Sequence, residues 1–313
     1  MIRIEQNPLV SVIVVTYNSS RYVLETLESI RVQTYKNIEL IICDDSSTDE
    51  TVELCRDWVS KNKDYFKNIE LITSNKNTGI SANSNRGIMA AKGTWLKLIA
   101  GDDLLLDNCI LENLLFVKDT PNAKFISSKV QPINNSGKHL NHQSSKYDAF
   151  KNLYFTLPAK KQLKMYARLP VFLNSPSFFL KKEVFKIINY FDEEFRIYDD
   201  ICLIYRANSN NVKIHFLDKF TVKYRIHENA ISRNNNTEIE ERRKKEQILI
   251  FNKYRRKNLN KWNLIDLSVY YETWLNYKYK GFRGFKMVSI LQKFSFFYWY
   301  LKCLKCLSIV RGN

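Results

Sequence analysis

Glycine is scarce in this 313-residue chain, with eight in all, and proline is scarcer still at six. So few glycines exclude a collagen-like repeat and a flexible low-complexity chain. They also leave neither a G-x-G-x-x-G turn after the first apolar run nor a G-x-x-x-x-G-K-S/T loop to cradle phosphates. Acidic residues are outnumbered: 32 Asp and Glu stand against 49 Lys and Arg, a formal charge of +17. No uncharged apolar stretch reaches the length of a membrane span, and the amino terminus, MIRIEQNPLV, lacks the apolar run of a signal peptide. The six cysteines (Cys43, Cys55, Cys109, Cys202, Cys303 and Cys306) are scattered through apolar segments, as reduced intracellular thiols are, and not spaced as a disulfide framework. Cys303 and Cys306 form the only close pair and have neither a second pair nor clustered His to complete a metal site. These absences predict a cytoplasmic protein.

What is present is ordinary globular material, 45% hydrophobic, 13% aromatic and 26% charged, too apolar to be disordered and long enough to bury a sizeable core in one large or two modest domains. The positive charge is concentrated at one end. Residues 241–313 hold 17 Lys or Arg against 4 Asp or Glu, a net +13, together with 16 of the 42 aromatic residues, so the first 240 residues carry about +4.

Residues 9–15 (LVSVIVV) form a β-branched apolar run, the pattern of a strand buried on both faces of a parallel sheet. After Thr16, Tyr17 and Asn18 the period becomes helical, with Val23, Leu27 and Ile30 on one face and Asn18, Ser19 or Ser20 able to cap it. A second run, 38–43, leads into Asp44-Asp45-Ser46-Ser47, where Ser47 and Glu50 predict a capping box for the next helix. Runs at 69–73 and 95–100 follow, separated by a turn at 77–79 and a helix ending near Gly93. Four strands alternating with three helices predict an α/β doubly wound sheet. Beyond it the pattern predicts a helix over 104–118, a loop-rich stretch over 119–160 with one strand at 124–130, and a strand at 177–181. A short helix to Tyr190, a helix over 200–208, and strands near 212–216 and 220–226 come next. Residues 233–237 form a polar connector, and helices dominate from about 238 onward.

In an open α/β sheet, ligands bind outside the carboxyl ends of the strands. Three polar clusters lie at such ends: Thr16-Tyr17-Asn18, Asp44-Asp45-Ser46 and Gly101-Asp102-Asp103. Either acidic pair could simply supply negative charge near a helix N-terminus. Two adjacent carboxylates at the mouth of a buried strand repel each other unless a cation joins them, however, and hard divalent ions take such oxygen ligands while leaving positions open for phosphates.

The ordered phrases VSVIVVTYN (10–18), ELIICDDSSTDET (39–51), NTGISANSNRGIMAAKGTW (77–95) and LIAGDD (98–103) resemble the family 2 glycosyltransferases, inverting enzymes of the GT-A fold, and especially the bacterial members that build capsule, O-antigen and other cell-surface polysaccharides. The resemblance runs from about residue 8 to 230. It implies a GT-A type doubly wound mixed sheet over 1–235, with 8–103 the nucleotide-sugar-binding half and 104–235 the acceptor-binding half, followed by a basic, aromatic helical region over 236–313. It implies a nucleotide-diphosphate sugar, UDP-linked, as donor and Mg2+ or Mn2+ as cofactor. Thr16, Tyr17 and Asn18 would meet the nucleoside, Asp45 would accept from the uracil N3–H, and Asn77, Gly79, Asn85 and Gly87 would wall the ribose and diphosphate. Asp103 would be the principal metal ligand, with Asp102 near the ribose or the sugar. The chain departs from the pattern at Ala100, where many relatives carry the first Asp, and at Ser84, where an Arg is frequent. FDEEFRIYDDICLIYR (191–206) matches the family's acidic segment, which makes Asp200 the general base, Asp199 the preceding acid and Arg206 the residue behind them. YRIHENAIS (224–232) matches its closing segment, so that His227 would ligate the metal or touch the diphosphate, with Ser232 or Arg233 nearby. By residue type alone, Asp199 and Asp200 are equally good as helix caps and His227 as a surface residue. Asn174-Ser175-Pro176-Ser177 is expected on the acceptor side.

Residues 284–310 mix aromatic and aliphatic side chains with flanking lysines, the composition of a helix lying in a membrane interface. An anionic membrane surface would be its partner; the same helices could instead pack on the catalytic part or on a second subunit. Altogether the sequence predicts an inverting, metal-dependent transferase acting on a glycolipid or lipid-linked oligosaccharide acceptor, peripheral on the inner face of the cell membrane. Two other classes fit parts of it. A nucleic-acid-binding protein could use the basic aromatic end, although no recognisable binding motif accompanies it, and an inactive relative could serve only as a scaffold.

Overall fold

The computed structural model describes residues 7–140, 148–169, 173–228, 236–260 and 262–279. The described residues up to 140 and over 173–228 form one unit; those over 148–169 and from 236 onward form another.

The first unit opens as the apolar runs require. Strands β1 (Val10–Thr16), β2 (Ile38–Asp44), β3 (Asn68–Thr73) and β4 (Trp95–Ala100) pair in parallel in the order β3-β2-β1-β4. Helices α1 (Val23–Arg31), α2 (Thr51–Asn62) and α3 (Ile80–Ala90) cover the two faces. Val10, Val12, Ile13 and Val14 are wholly buried because both faces of β1 are covered. Val10, Val12 and Val14 pack with Val23, Leu27 and Ile30 of α1. On the opposite face α3 lies so close to the sheet that a Cβ at Gly87 would come within 2.5 Å of the Ile13 side chain and 2.9 Å of Cys43 Sγ. Gly87 therefore serves this close packing of helix on sheet.

The sheet continues as β4-β7-β6-β8-β5. Strand β5 (Leu104–Leu105) and helix α4 (Cys109–Asp119) occupy the stretch expected to be one helix, because Leu104 and Leu105 pair with Lys223 and Val222 instead of joining the helix. Strand β6 (Phe125–Ile133) is followed by helices α5 (Asp148–Thr156) and α6 (Ala159–Arg168), which belong to the second unit. Helix α5 falls where the sequence predicted loop, and α6 in a stretch for which it predicted no element. Back in the first unit, a 3₁₀ turn (Ser175–Ser177) enters β7 (Phe179–Lys181), which runs antiparallel to both β4 and β6, and α7 (Lys182–Ile188) and α8 (Asp199–Ser209) follow. The two strands expected near 212–226 are a single strand, β8 (Ile214–Arg225), whose register against β6 shifts at Ser128 to Val130. The result is a GT-A-like mixed sheet of eight strands.

Several local expectations are corrected. No side chain caps α1 or α2. The Ser47 hydroxyl donates to Asp44 instead, and Asp49 Oδ1 accepts the Thr51 N–H at 3.0 Å. Asn18 turns its amide oxygen toward the Thr48 N–H, 2.8 Å away. Hydroxyls and amides expected to cap helices are thus used to tie loops at the strand ends together.

In the second unit, α9 (Thr237–Ile250) is capped by the Asn236 side chain, and α10 is Leu264–Tyr279. Arg255 donates to the Ala167 and Arg168 carbonyls at the end of α6, at 2.6 and 2.9 Å, satisfying orphan acceptors there. Arg168 pairs with Asp266 at 2.6 Å. Among the described residues no helix is long and apolar enough to cross a membrane. The 284–310 segment, Cys303, Cys306, Ser232 and Arg233 lie outside the described residues. Cys43, Cys55, Cys109 and Cys202 are buried free thiols.

Candidate active site

The ends of β1 and β2 are laced together by short polar side chains. Thr16 donates its hydroxyl to Asp44 Oδ2 at 2.9 Å, and the Ser47 N–H donates to Asp44 Oδ1 at 2.8 Å. Asn18 and Ser46 adopt left-handed backbone (φ +50° and +69°), which turns both loops away from their strands. Tyr17 stands beside them half exposed.

Asp45 is buried and holds the loop before α3. Its carboxylate accepts from the Thr78 N–H (2.9 Å), the Thr78 hydroxyl (2.7 Å), the Gly79 N–H (2.7 Å) and Arg86 Nη2 (2.7 Å). Burial alone would push this carboxyl up; the bonds from Thr78, Arg86 and Gly79 outweigh it and hold the group below the usual carboxylate range. A carboxylate offers about four acceptor positions, so protein donors take all of them. Gly79 has φ +91°, and a Cβ there would press on the Arg196 side chain. Asn77 is exposed at the start of this loop. Asn85, expected on the donor wall, is buried and clamps the 191–193 segment: it donates to the Phe191 carbonyl (3.1 Å) and to Glu193 Oε1 (2.8 Å) and accepts the Phe191 N–H (2.9 Å).

At the end of β4 the adjacent carboxylates have separate fates. Asp103 is 1% exposed and accepts the Arg225 N–H at 2.8 Å. Burial, with the Asp102 charge beside it, holds its carboxyl well above the usual range. Asp102 keeps an accessible side chain and meets His227 Nε2 at 2.8 Å. Asp102 thus carries the accessible oxygens, whereas Asp103, expected as the principal metal ligand, anchors the end of β8. Arg225, wholly buried at its side chain, donates to the Asp102 carbonyl (2.8 Å), pairs with Glu25 (2.7 Å) and stacks on the Tyr22 ring, 4.4 Å from its centroid. The Tyr22 ring in turn lies 5.3 Å from that of His227.

The third cluster comes from α8. Asp199 and Asp200 line a cavity of about 530 Å³, its open mouth included, together with Val15 of β1, Leu98 and Ala100 of β4, and Ile80 and Ser84 of α3. The pairing of Val15 with Ala100 brings the ends of β1 and β4 together at this cavity. Ser175 and Pro176, from the turn expected on the acceptor side, also line it. Lys97, fully buried in β4, donates to the Pro176 carbonyl and braces that turn. Burial pushes the Asp200 carboxyl up to about 6 against the lowering effect of the Ile201 N–H, which donates to Oδ1 at 2.7 Å. Arg206 sits one and a half turns along α8 and donates to the carbonyls of Ile188 and Asn189. Asn189 and the next residue, Tyr190, both have positive φ (+58° and +63°), so Arg206 steadies the bent entry to the acidic segment.

Among the described residues no group of three or more His, Cys, Asp or Glu is arranged to hold a metal. The accessible pair Asp102 and His227 fits a different arrangement. The two are joined by a 2.8 Å hydrogen bond, and with substrate phosphates they would be the side chains to hold a divalent cation, which is commonly bound by only one or two carboxylates besides phosphate oxygens.

Sequence reasoning singled out Asp102, Asp200 and His227 and passed over Arg86, Glu25, Tyr22 and Lys97, which the structure places around them and around Asp45. Of these only Arg86 lay inside a quoted motif, and its partner Asp45 is 41 residues distant, beyond any local pattern.

The mixed sheet, with its acidic strand ends, defines the class of GT-A-like transferases. Solved structures of TarS from S. aureus share this fold: the 1–349 form in complex with UDP-GlcNAc gives a TM-score of 0.59 at 19% identity, covering 89% of this chain and 75% of that one. Residues 11–189 match the model of glycosyl transferase family 2; the chain belongs to that family and is a glycosyltransferase. It is 26% identical over 233 residues to an uncharacterised glycosyltransferase of Methanocaldococcus jannaschii, covering 72% of this chain and 74% of that one. It is 37% identical over 110 residues to the UDP-Glc:alpha-D-GlcNAc-diphosphoundecaprenol beta-1,3-glucosyltransferase of Escherichia coli, covering 35% and 41% of the two chains. A Rickettsia felis glycosyltransferase matches at 31% over 223 residues, which is 69% of this chain but only 33% of that one.

Proposed function

We propose that the protein transfers a sugar, with inversion, from a UDP-linked donor to a hydroxyl of a lipid-linked oligosaccharide. The observation that carries this reading is Asp200, a carboxyl raised to about 6 in a cavity at the ends of β1 and β4. A group of that pKa is ionised at neutral pH yet basic enough to take a proton, which is what a general base needs. Asp200 accepts the proton of the acceptor hydroxyl as its oxygen attacks the anomeric carbon from the face opposite the diphosphate. Asp199, beside it at the start of α8, helps orient the acceptor, and Arg206 keeps the segment in place.

Asp102 and His227 would hold a divalent cation, Mn2+ or Mg2+, which supplies charge neutralisation for the leaving diphosphate. Asp103 and Arg225 position that pair from behind. Thr16, Tyr17 and Asn18 form the nucleoside platform, with the half-exposed Tyr17 ring offering a face for the base. Asp45 holds the Asn77 to Gly79 turn against which the nucleoside packs; contact with the uracil N3–H requires it to release one present donor. The printed names of relatives support donor and acceptor class: TarS was solved with UDP and UDP-GlcNAc, and the E. coli relative is named for a diphosphoundecaprenol acceptor. The basic 284–313 segment would keep the enzyme on an anionic membrane surface.

The test is Asp200→Asn, assayed for transfer to a lipid-linked acceptor and, separately, for UDP binding. Transfer should fall by about 10²- to 10⁴-fold with UDP affinity unchanged. Near-normal turnover would remove Asp200 from this role.

A further inference from the structure

The cavity beside Asp200 has walls unlike those of a phosphate or ribose site. Of its lining residues only Ser84, Ser175, Asp199 and Asp200 are polar; the sheet side is built of Val15, Leu98 and Ala100, and the far side of Phe178, Phe185 and Leu203. Phe185 is wholly buried and Leu203 nearly so, so these walls are fixed by core packing. A hydroxyl pushed against them would lose its hydrogen bonds to water without replacement, whereas a methyl group would gain by leaving water.

The space exists because two small side chains border it from different elements. Ser84 stands on α3 and Ala100 ends β4, and both line the same cavity. Asn85, next to Ser84, is locked to the 191–193 segment by three hydrogen bonds. The helix face carrying Ser84 is therefore fixed, and the cavity does not close by a small shift of α3.

We propose that this cavity receives a methyl-bearing substituent of the donor sugar, an N-acetyl or a 6-deoxy group, and that Ser84 and Ala100 are specificity-determining residues by virtue of their small size. The inference rests on the transferase reading of the same site and deepens it by naming the sugar class. The Ser84 and Ser175 hydroxyls in the cavity wall give an acetamido oxygen or N–H a partner, and the apolar walls take the methyl.

The experiment compares UDP-GlcNAc, UDP-6-deoxyglucose and UDP-glucose as donors for the wild type and for the cavity-filling variants Ser84→Leu and Ala100→Leu. UDP binding and thermal melting are read in parallel. In the wild type kcat/KM should be about 10- to 200-fold higher for at least one methyl-bearing donor than for UDP-glucose, the discrimination a hydrophobic pocket can achieve; which of the two wins tells acetamido from deoxy. Each filling variant should lose most of that preference, turnover falling several-fold more for the methyl-bearing donor than for UDP-glucose, with UDP affinity and melting temperature showing that the nucleotide site and the fold persist. The paired variants guard against a single folding defect, and a third, Ser84→Ala, should fold and retain the preference for a 6-deoxy donor. Equal turnover of all three donors by the wild type, or an equal loss for all of them on filling, overturns the proposal while leaving the transferase assignment intact. Failure of the wild type to turn over any nucleotide sugar removes the transferase reading and this proposal with it.

Discussion

Two aspartates at neighbouring strand and helix ends show how one fold treats the same side chain in opposite ways. Asp45 meets four donors and is held below the usual carboxylate range. Asp200 meets only backbone N–H groups, that of Ile201 and its own, beside a largely apolar cavity, and is raised to about 6. A saturated carboxylate organises its surroundings and has little capacity left for a ligand. One left short of donors keeps a basic lone pair for an incoming proton, and burial of its charge is a cost the fold sustains. The Asp45 side of the site is thus polar and satisfied, and the Asp200 side is largely apolar and short of donors.

The comparison breaks most directly at Asp45. Asp45→Ala removes the common acceptor of Thr78, Gly79 and Arg86 and leaves the guanidinium without its carboxylate. The expected loss of stability is about 3–5 kcal/mol, the range for breaking one side of a buried ion pair, read by chemical denaturation. A loss below about 1 kcal/mol would mean that the 77–79 turn does not depend on it. Gly87→Ala should come next, at about 1–3 kcal/mol, because the added methyl must displace Ile13 or Cys43; an unchanged melting temperature would show that α3 can retreat from the sheet. The smallest effect belongs to Asp200→Asn, which should leave the melting temperature at pH 7 unchanged or higher, since it removes a poorly compensated charge. A marked fall there would contradict the reading of Asp200 as a strained functional group.

The signs with pH follow from the same contrast. The carboxyl of Asp45 is lowered in the folded state, so its stabilisation is present above the ordinary value of 3.8 and is lost as pH falls through the depressed value. That of Asp200 is raised, so any stability it contributes is present below 3.8 and is lost as pH rises through about 6.

The parallel half of the fold was legible because its strands are rich in apolar, β-branched residues and its helices repeat on one face. The rest was less so for identifiable reasons. Leu104 and Leu105 are apolar enough for helix or strand, and only pairing with the distant β8 decides between them. Helix α6 begins without a capping side chain, and a helix read from periodicity alone needs such a boundary signal. The site followed the same division. Asp102 and Asp200 were found as motif members, but which of Asp102 and Asp103 stays accessible depends on the Arg225 N–H, 122 residues away. The cavity could not be read at all, because it is a space between elements.

The central claim is that Asp200 is the base, and the pH dependence of transfer tests it most directly. For the wild type, kcat should fall about tenfold per pH unit below a break near 6, and in Asp200→Asn the residual rate should lose that break while UDP affinity stays as it was. A break near 6 that persists in Asp200→Asn, or a variant rate close to wild type, would contradict the account.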